Sequence, residues 1–263
     1  LERLFLNPPR NTLPRNSDPR MALIHTAATT EFTRTLGILF LLIGMTFMNL
    51  AEAQTKNAGY RLHIKKTTEN IEIDGILSEQ VWNDENTDVA RDFFMVLPAD
   101  TSLATQPSEV RMTYDEKNIY LSATFYSTIP GPYTVESLRR DFVFGKNDNV
   151  LIFIDPFNNQ TTGFSFGANA AGAQWDGTMN NGSKVDLNWD TKWVSEVIPY
   201  EDKWVLEMAV PFKSIRYKKG VKEWGINFSR LDLKSSEKSS WTPIPRQFPT
   251  AALAYTGILV WDE

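Results

Sequence analysis

The chain has 263 residues, 42% of them apolar and 12% aromatic, with a formal net charge of −5. That length suits one large domain or two small ones, and the apolar share is enough for a sizeable core. There is no cysteine, which excludes disulfides, thiolate metal sites and a cysteine nucleophile. The charges are interspersed without a basic run, which argues against a nucleic-acid partner.

Residues 1–20, rich in Pro, Asn and Arg, read as an upstream or disordered extension. Met21 then serves as the start, although a genuine extension is the other reading. Residues 21–53 have the pattern of a secretory signal: Arg34, an apolar core over 36–45, and Ala51-Glu52-Ala53 as a small-x-small cleavage site. A membrane anchor is the alternative, but the apolar run is short for a span. No Cys follows the site, so lipoprotein attachment is excluded. Export to the periplasm, outer membrane or cell surface is the expectation.

Residues 54–263 read as a single domain of short alternating or apolar runs separated by turn residues. Strands are predicted over Arg61–Lys66, Glu109–Tyr114, Ile119–Tyr126, Val150–Asp155, Thr161–Asn169, Trp193–Pro199, Trp204–Val210, Trp224–Leu231 and Gly257–Val260. This spacing predicts an all-β fold, an antiparallel β-sandwich or a barrel. Helical turns are predicted at Leu77–Trp82, with Ser78 as N-cap, and at Pro211–Ile215. Lys234–Ser240 reads as a polar hairpin tip.

The stretch 139–193 stands out. An apolar run ends in Asp155-Pro156-Phe157-Asn158-Asn159, a turn signal. The returning strand puts Phe164, Phe166 and Ala168 on one face and Gly163, Ser165, Gly167 and Asn169 on the other. Loops bearing Trp175, Trp189 and Trp193 follow, and loops on a rigid β scaffold are where binding residues tend to sit.

Four motifs carry a family resemblance. Ile73-Asp74-Gly75-Ile76-Leu77-Ser78-Glu79-Gln80-Val81-Trp82 resembles the opening of family 9 carbohydrate-binding modules. Val110 to Leu121, Trp204 to Phe212 and Trp224-Gly225-Ile226-Asn227-Phe228-Ser229-Arg230 resemble later segments of that family, in the right order. The resemblance implies a β-sandwich that binds sugar ends between Trp rings and holds structural calcium. Gly163–Asn169 and the turn before it are similar to one subgroup, in which the module precedes an outer-membrane β-barrel in Bacteroidetes-like bacteria. That implies a fragment of a longer cell-envelope protein, with a polysaccharide or oligosaccharide as ligand and the barrel as a C-terminal partner. A structural or protein-interaction role beside such a barrel is the alternative.

Sugar binding needs a flat aromatic face and planar amide, carboxylate or guanidinium partners for the hydroxyls. Trp175, Trp189 and Trp193 are the candidate rings, with Arg139, Arg140, Asp148, Asn169 and Asp176 as polar partners. Core packing competes for each ring, most strongly for Trp193, which opens a strand. Trp82, Trp204 and Trp224 lie inside the scaffold motifs and read as core. Calcium takes several hard oxygens. Asp155, Asn158 and Asn159 are the candidate ligands, although Asn and Asp in turns often bond only their own backbone.

Catalysis has little support. His63, the histidine left after signal removal, alternates within a strand as a surface residue. No zincin, P-loop, dinucleotide or nucleophile-elbow motif is present. A hydrolase label would come from the glycosyl hydrolases to which family members are often joined, not from residues of this chain.

Overall fold

The computed structural model describes residues 55–262; the extension and signal expected over 1–53 lie outside them. Among the described residues, the strands form a nine-stranded and a four-stranded sheet. In the first, β1 (Arg61–Ile64), β13 (Gly257–Trp261), β11 (Glu223–Asp232), β5 (Asn149–Asp155), β6 (Gly163–Asn169), β7 (Gln174–Asn180) and β8 (Lys184–Asp186) lie side by side. On one flank β12 (Glu237–Ser240) pairs with β11 and with β2 (Phe94–Leu97). The second sheet runs β3 (Ser108–Tyr114), β4 (Asn118–Tyr126), β10 (Lys203–Pro211), β9 (Val194–Pro199). All pairings within named strands are antiparallel except β1 with β13.

Every strand expected from the sequence is present, with ends shifted by one or two residues. The sandwich core follows the period of two. Val150, Ile152 and Ile154 of β5 and Phe164, Phe166 and Ala168 of β6 face Leu121, Ala123 and Phe125 of β4 and Leu206 and Met208 of β10 in one cluster. The other face of β5 is also buried: Leu151 and Phe153 pack with Phe142, Trp175, Met179 and Leu253.

Two of the motifs lock the sheets and their coverings. Arg230 is 2% exposed and clasps the second sheet, donating to the carbonyls of Pro107 at 2.9 Å and Tyr126 at 2.7 Å and to Asp232 Oδ2 at 2.6 Å. Glu207 of β10 faces away from the core, under the segment 71–82. It takes the N–H of Gly75 at 3.0 Å and the indole N–H of Trp82 at 2.8 Å. Gly75 has φ +80°, and a Cβ there would sit 2.7 Å from Ile198 Cγ1, so the turn needs glycine. The predicted helix shrinks to one turn, α1 (Gln80–Asn83). Its N-cap is Glu79 rather than Ser78, and no side chain bonds that cap. The second predicted turn is the 3-10 helix Phe212–Ser214.

The structure departs from the sequence reading between 172 and 193 and at 94–97 and 234–240. Trp175 lies in β7, not in a loop, and Lys184–Asp186 adds an edge strand. Residues 237–240 form a strand rather than a tip, pairing with both β11 and β2. Strands β7, β8 and β12 carry Gly, Asn, Asp or Ser, residues that β propensity does not favour, whereas β2 is apolar but only four residues long. They are held by pairing to strands already in place.

Candidate functional site

The residues singled out in the sequence divide between two faces of the large sheet. Trp175 pairs with Gly167, and its side chain belongs to the outer cluster, 6% exposed. Asp176 pairs with Phe166 and therefore points inward. Trp189 and Trp193 lie on that inner side. The Trp189 ring centroid is 5.2 Å from Phe164, and the Trp193 ring meets Phe166 edge-on at 5.6 Å. Trp193 is 6% exposed and Trp189 is half-buried. A sheet thus separates Trp175 from the other two rings, and the three do not line one binding face.

Arg140 and Asp176 do meet. The half-exposed Arg140 guanidinium forms an ion pair with buried Asp176 and donates to Asp190 Oδ1 at 3.0 Å, Gln174 Oε1 at 2.8 Å and the Thr191 carbonyl at 3.2 Å. Asp176 also accepts the Thr191 N–H at 3.0 Å. Burial pushes its carboxyl above the usual range, against the pull of Thr191 and Arg140. The set anchors the 187–193 loop to β7, a structural task that engages the groups expected to meet sugar hydroxyls.

Asp148 and Asn169 have similar work. Asp148 is 2% exposed and accepts the N–H groups of Thr134 and Leu233, the latter at 2.6 Å; burial raises its carboxyl. Asn169 is fully buried, accepts the N–H of Ala173 at 2.9 Å and donates to the Ser137 carbonyl at 2.8 Å. Arg139 is exposed, and its backbone N–H bonds Ser137 Oγ at 3.1 Å.

The turn expected to hold calcium closes on itself. Buried Asp155 accepts the N–H groups of Phe157 at 3.1 Å and Gln160 at 2.6 Å, and burial raises its carboxyl. Asn159 Oδ1 accepts from Thr161 and Thr162 at 2.8 and 3.0 Å. Of the three residues, Asn158 keeps a buried side-chain oxygen with no partner. Calcium takes about six to eight oxygens, so this turn as folded does not fit the ion.

A cleft that the sequence did not suggest lies at one pole of the sandwich. Tyr114 ends β3, Phe212 follows β10, Trp224 opens β11 and Trp261 ends β13. Antiparallel pairing sets Trp224 beside Leu259, and a parallel bridge from Lys66 to Tyr114 joins the sheets there. These four aromatics and Tyr217 line a cavity of about 380 Å³, within the ordinary range of small-molecule sites. Trp224 and Trp261 meet at 4.7 Å, Tyr114 and Trp261 at 4.8 Å, and Tyr217 and Trp224 at 5.5 Å. Tyr217 is 37% exposed. The indole N–H groups of Trp224 and Trp261 are buried and have no acceptor. Lys66, Asp115, Glu116 and Lys218, with Gly220 and Val221, complete the lining. Lys66 pairs with Glu116. Burial alone would raise the Asp115 carboxyl, yet the N–H groups of Lys117 and Asn118 and the Tyr120 hydroxyl hold it below the usual range. Trp224, read as core from its motif, is indeed 2% exposed, but its edge belongs to this cleft.

The family model described as "Carbohydrate family 9 binding domain-like" matches residues 73–244. The chain belongs to this family. The family 9 fold extends to solved structures. One is a putative carbohydrate-binding protein from Bacteroides uniformis, at 16% identity and TM-score 0.60, covering 77% of this chain and 99% of that one. A family 9 module from Caldicellulosiruptor kristjanssonii, solved with cellotriose, matches at 12% identity and TM-score 0.54, covering 77% and 94%. The same organism's family 9 module with glucose matches at 11% identity and TM-score 0.54, covering 77% and 96%. No curated protein matches the chain. At these identities the structural likeness establishes the family 9 sandwich and leaves the position of any ligand to the residues of this chain.

Proposed function

We propose that this family 9 domain binds carbohydrate in the polar cleft of Tyr114, Phe212, Tyr217, Trp224 and Trp261. The observation that carries the reading is a single cavity walled by five aromatic side chains, one of which, Tyr217, stands exposed. A sugar supplies an apolar C–H face that stacks on such rings. The sugar-bound state of two structural relatives supports the same class of ligand. The loop set around Arg140 and Asp176 supports this less well, because its polar atoms already bond one another.

The wider setting is part of the proposal. The domain is exported, acts at the periplasm, outer membrane or cell surface, and forms the N-terminal part of a longer protein serving polysaccharide binding or catabolism, with an outer-membrane barrel following it. The sequence pattern of residues 21–53 supports export.

A glycan panel followed by calorimetry tests the binding. A saturable hit that Tyr217→Ala weakens supports the cleft. A blank panel on folded protein would favour a structural or protein-interaction role for the module.

A further inference from the structure

The segment that carries Phe212, Tyr217 and Lys218 to the cleft is basic, with Lys218 in the lining and Lys213, Arg216 and Lys219 beside it in sequence. Lys213, Arg216, Lys218, Lys219 and Lys222 fall within ten residues, contrary to the even spread of charge expected from composition. Lys213, Arg216, Lys218 and Lys219 are all exposed and have no ion-pair partner among the described residues. Their setting is a chain of net charge −5. The acids on the facing wall are engaged: Glu116 with Lys66, and Asp115 with two backbone N–H groups and a tyrosine hydroxyl. Tyr217 stands between Arg216 and Lys218, so its ring and the free cations are carried by one segment.

We propose that the cleft prefers an anionic sugar, a glycan bearing carboxylate or sulfate groups, over a neutral one. This rests on the carbohydrate reading of the same cleft. An aromatic floor accepts the C–H face of any pyranose, so the rings alone do not discriminate. The free cations do, because an acidic substituent reaching out from the cleft along this segment meets Lys213, Arg216, Lys218 and Lys219, none of them in an ion pair among the described residues. Such attraction between exposed groups is modest for each pair and is screened by salt, so the preference arises from several cations acting on a repeating anionic chain. A basic segment on an acidic protein also directs a polyanion to this pole and away from the remaining surface.

The test is calorimetry on the purified protein with four probes of matched length: an oligogalacturonate, a sulfated oligosaccharide, a neutral cello-oligosaccharide and a single-stranded oligothymidylate. The expected result is roughly tenfold tighter binding of an anionic glycan than of the neutral one at low salt, the sum of several small ion-pair gains. The advantage should shrink as salt rises and disappear in K213Q/R216Q/K218Q/K219Q. The stronger of the two anionic arms identifies carboxylate or sulfate as the recognised group. Equal affinity for neutral and anionic glycans, with Tyr217→Ala weakening both, overturns the charge preference and leaves the carbohydrate reading intact. Oligothymidylate binding as tightly as the glycans overturns it in favour of a general polyanion surface. Binding of no glycan at all overturns both readings.

Discussion

Glu207 Oε1 accepts the indole N–H of Trp82 at 2.8 Å across 125 residues of sequence, while its other oxygen takes the N–H of Gly75. One carboxylate thereby fastens the opening motif of the domain to the outside of the second sheet. Trp82→Phe keeps the packing of the ring but removes a donor from a buried carboxylate. It should cost about 1–3 kcal/mol, read as a lower urea midpoint, with no change in glycan affinity at the aromatic cleft, whose lining does not include Trp82.

The same carboxylate makes stability pH-dependent. Burial, reinforced by Glu79 nearby, pushes Glu207 up to about 7 from an ordinary value of 4.5. The folded state therefore holds this proton at pH values where the unfolded chain has released it. The stabilisation is full below 4.5 and is lost as pH rises through about 7. At about 1.4 kcal/mol per pKa unit the window is worth on the order of 3 kcal/mol. Glu207→Gln should flatten the fall in stability between pH 5 and 7, measured by urea unfolding. An unchanged slope would assign the dependence to other groups.

Trp175→Ala should act on stability rather than on ligand binding. The ring fills the outer cluster with Leu151, Phe153, Phe142 and Leu253. Its removal should cost about 3–5 kcal/mol through the cavity it leaves. Tyr217→Ala should do the reverse, with little loss of stability and about 1–3 kcal/mol less glycan affinity, the scale of an aromatic stacking contact. Calorimetric unfolding and titration of both variants separate the two effects. A selective binding loss in Trp175→Ala would return the site to the outer face.

Arg140→Met should loosen the loop of residues 187–193 by removing its bonds to Asp176, Asp190 and the Thr191 carbonyl. Buried Asp176 is left with the Thr191 N–H, and a loss of about 1–3 kcal/mol is expected for the orphaned group. Hydrogen exchange should rise first at Thr191. Protection unchanged there would show that Trp189 and Trp193 hold the loop by packing alone.

Chelation tests the calcium expectation. The oxygens of Asp155 and Asn159 already accept N–H groups of their own turn. Stripping divalent ions should therefore leave the melting temperature unchanged. A fall of several degrees, restored by calcium, would place a structural ion elsewhere in the fold.

The sandwich was legible in the sequence because long strands such as β5, β6 and β10 carry apolar side chains at the strand period, bounded by turn residues. Strands β7, β8 and β12 were not, since Asp176, Gly177 and the serines of β12 have no strand preference and acquire order from their neighbours. The site was less legible for a related reason. The polar character of the 172–193 stretch suggested exposed loops, whereas pairing to β6 turns Trp175 and Asp176 to opposite faces. The cleft at the pole is made of strand ends far apart in sequence, Tyr114, Trp224 and Trp261 among them, so only the sheet order brings them together. Aromatics placed at strand termini were the one available signal.

The parallel pairing of β1 with β13 gives the domain a direction. Both strands run toward the pole that bears the cleft, with Arg61 beside Ile258 and Ile64 beside Trp261. A polypeptide following Asp262 would leave from the lip of the cleft, which Trp261 lines, whereas the chain enters β1 at the other end of the strand pair. A downstream partner would then share a short tether with the captured glycan, raising the local concentration of one for the other.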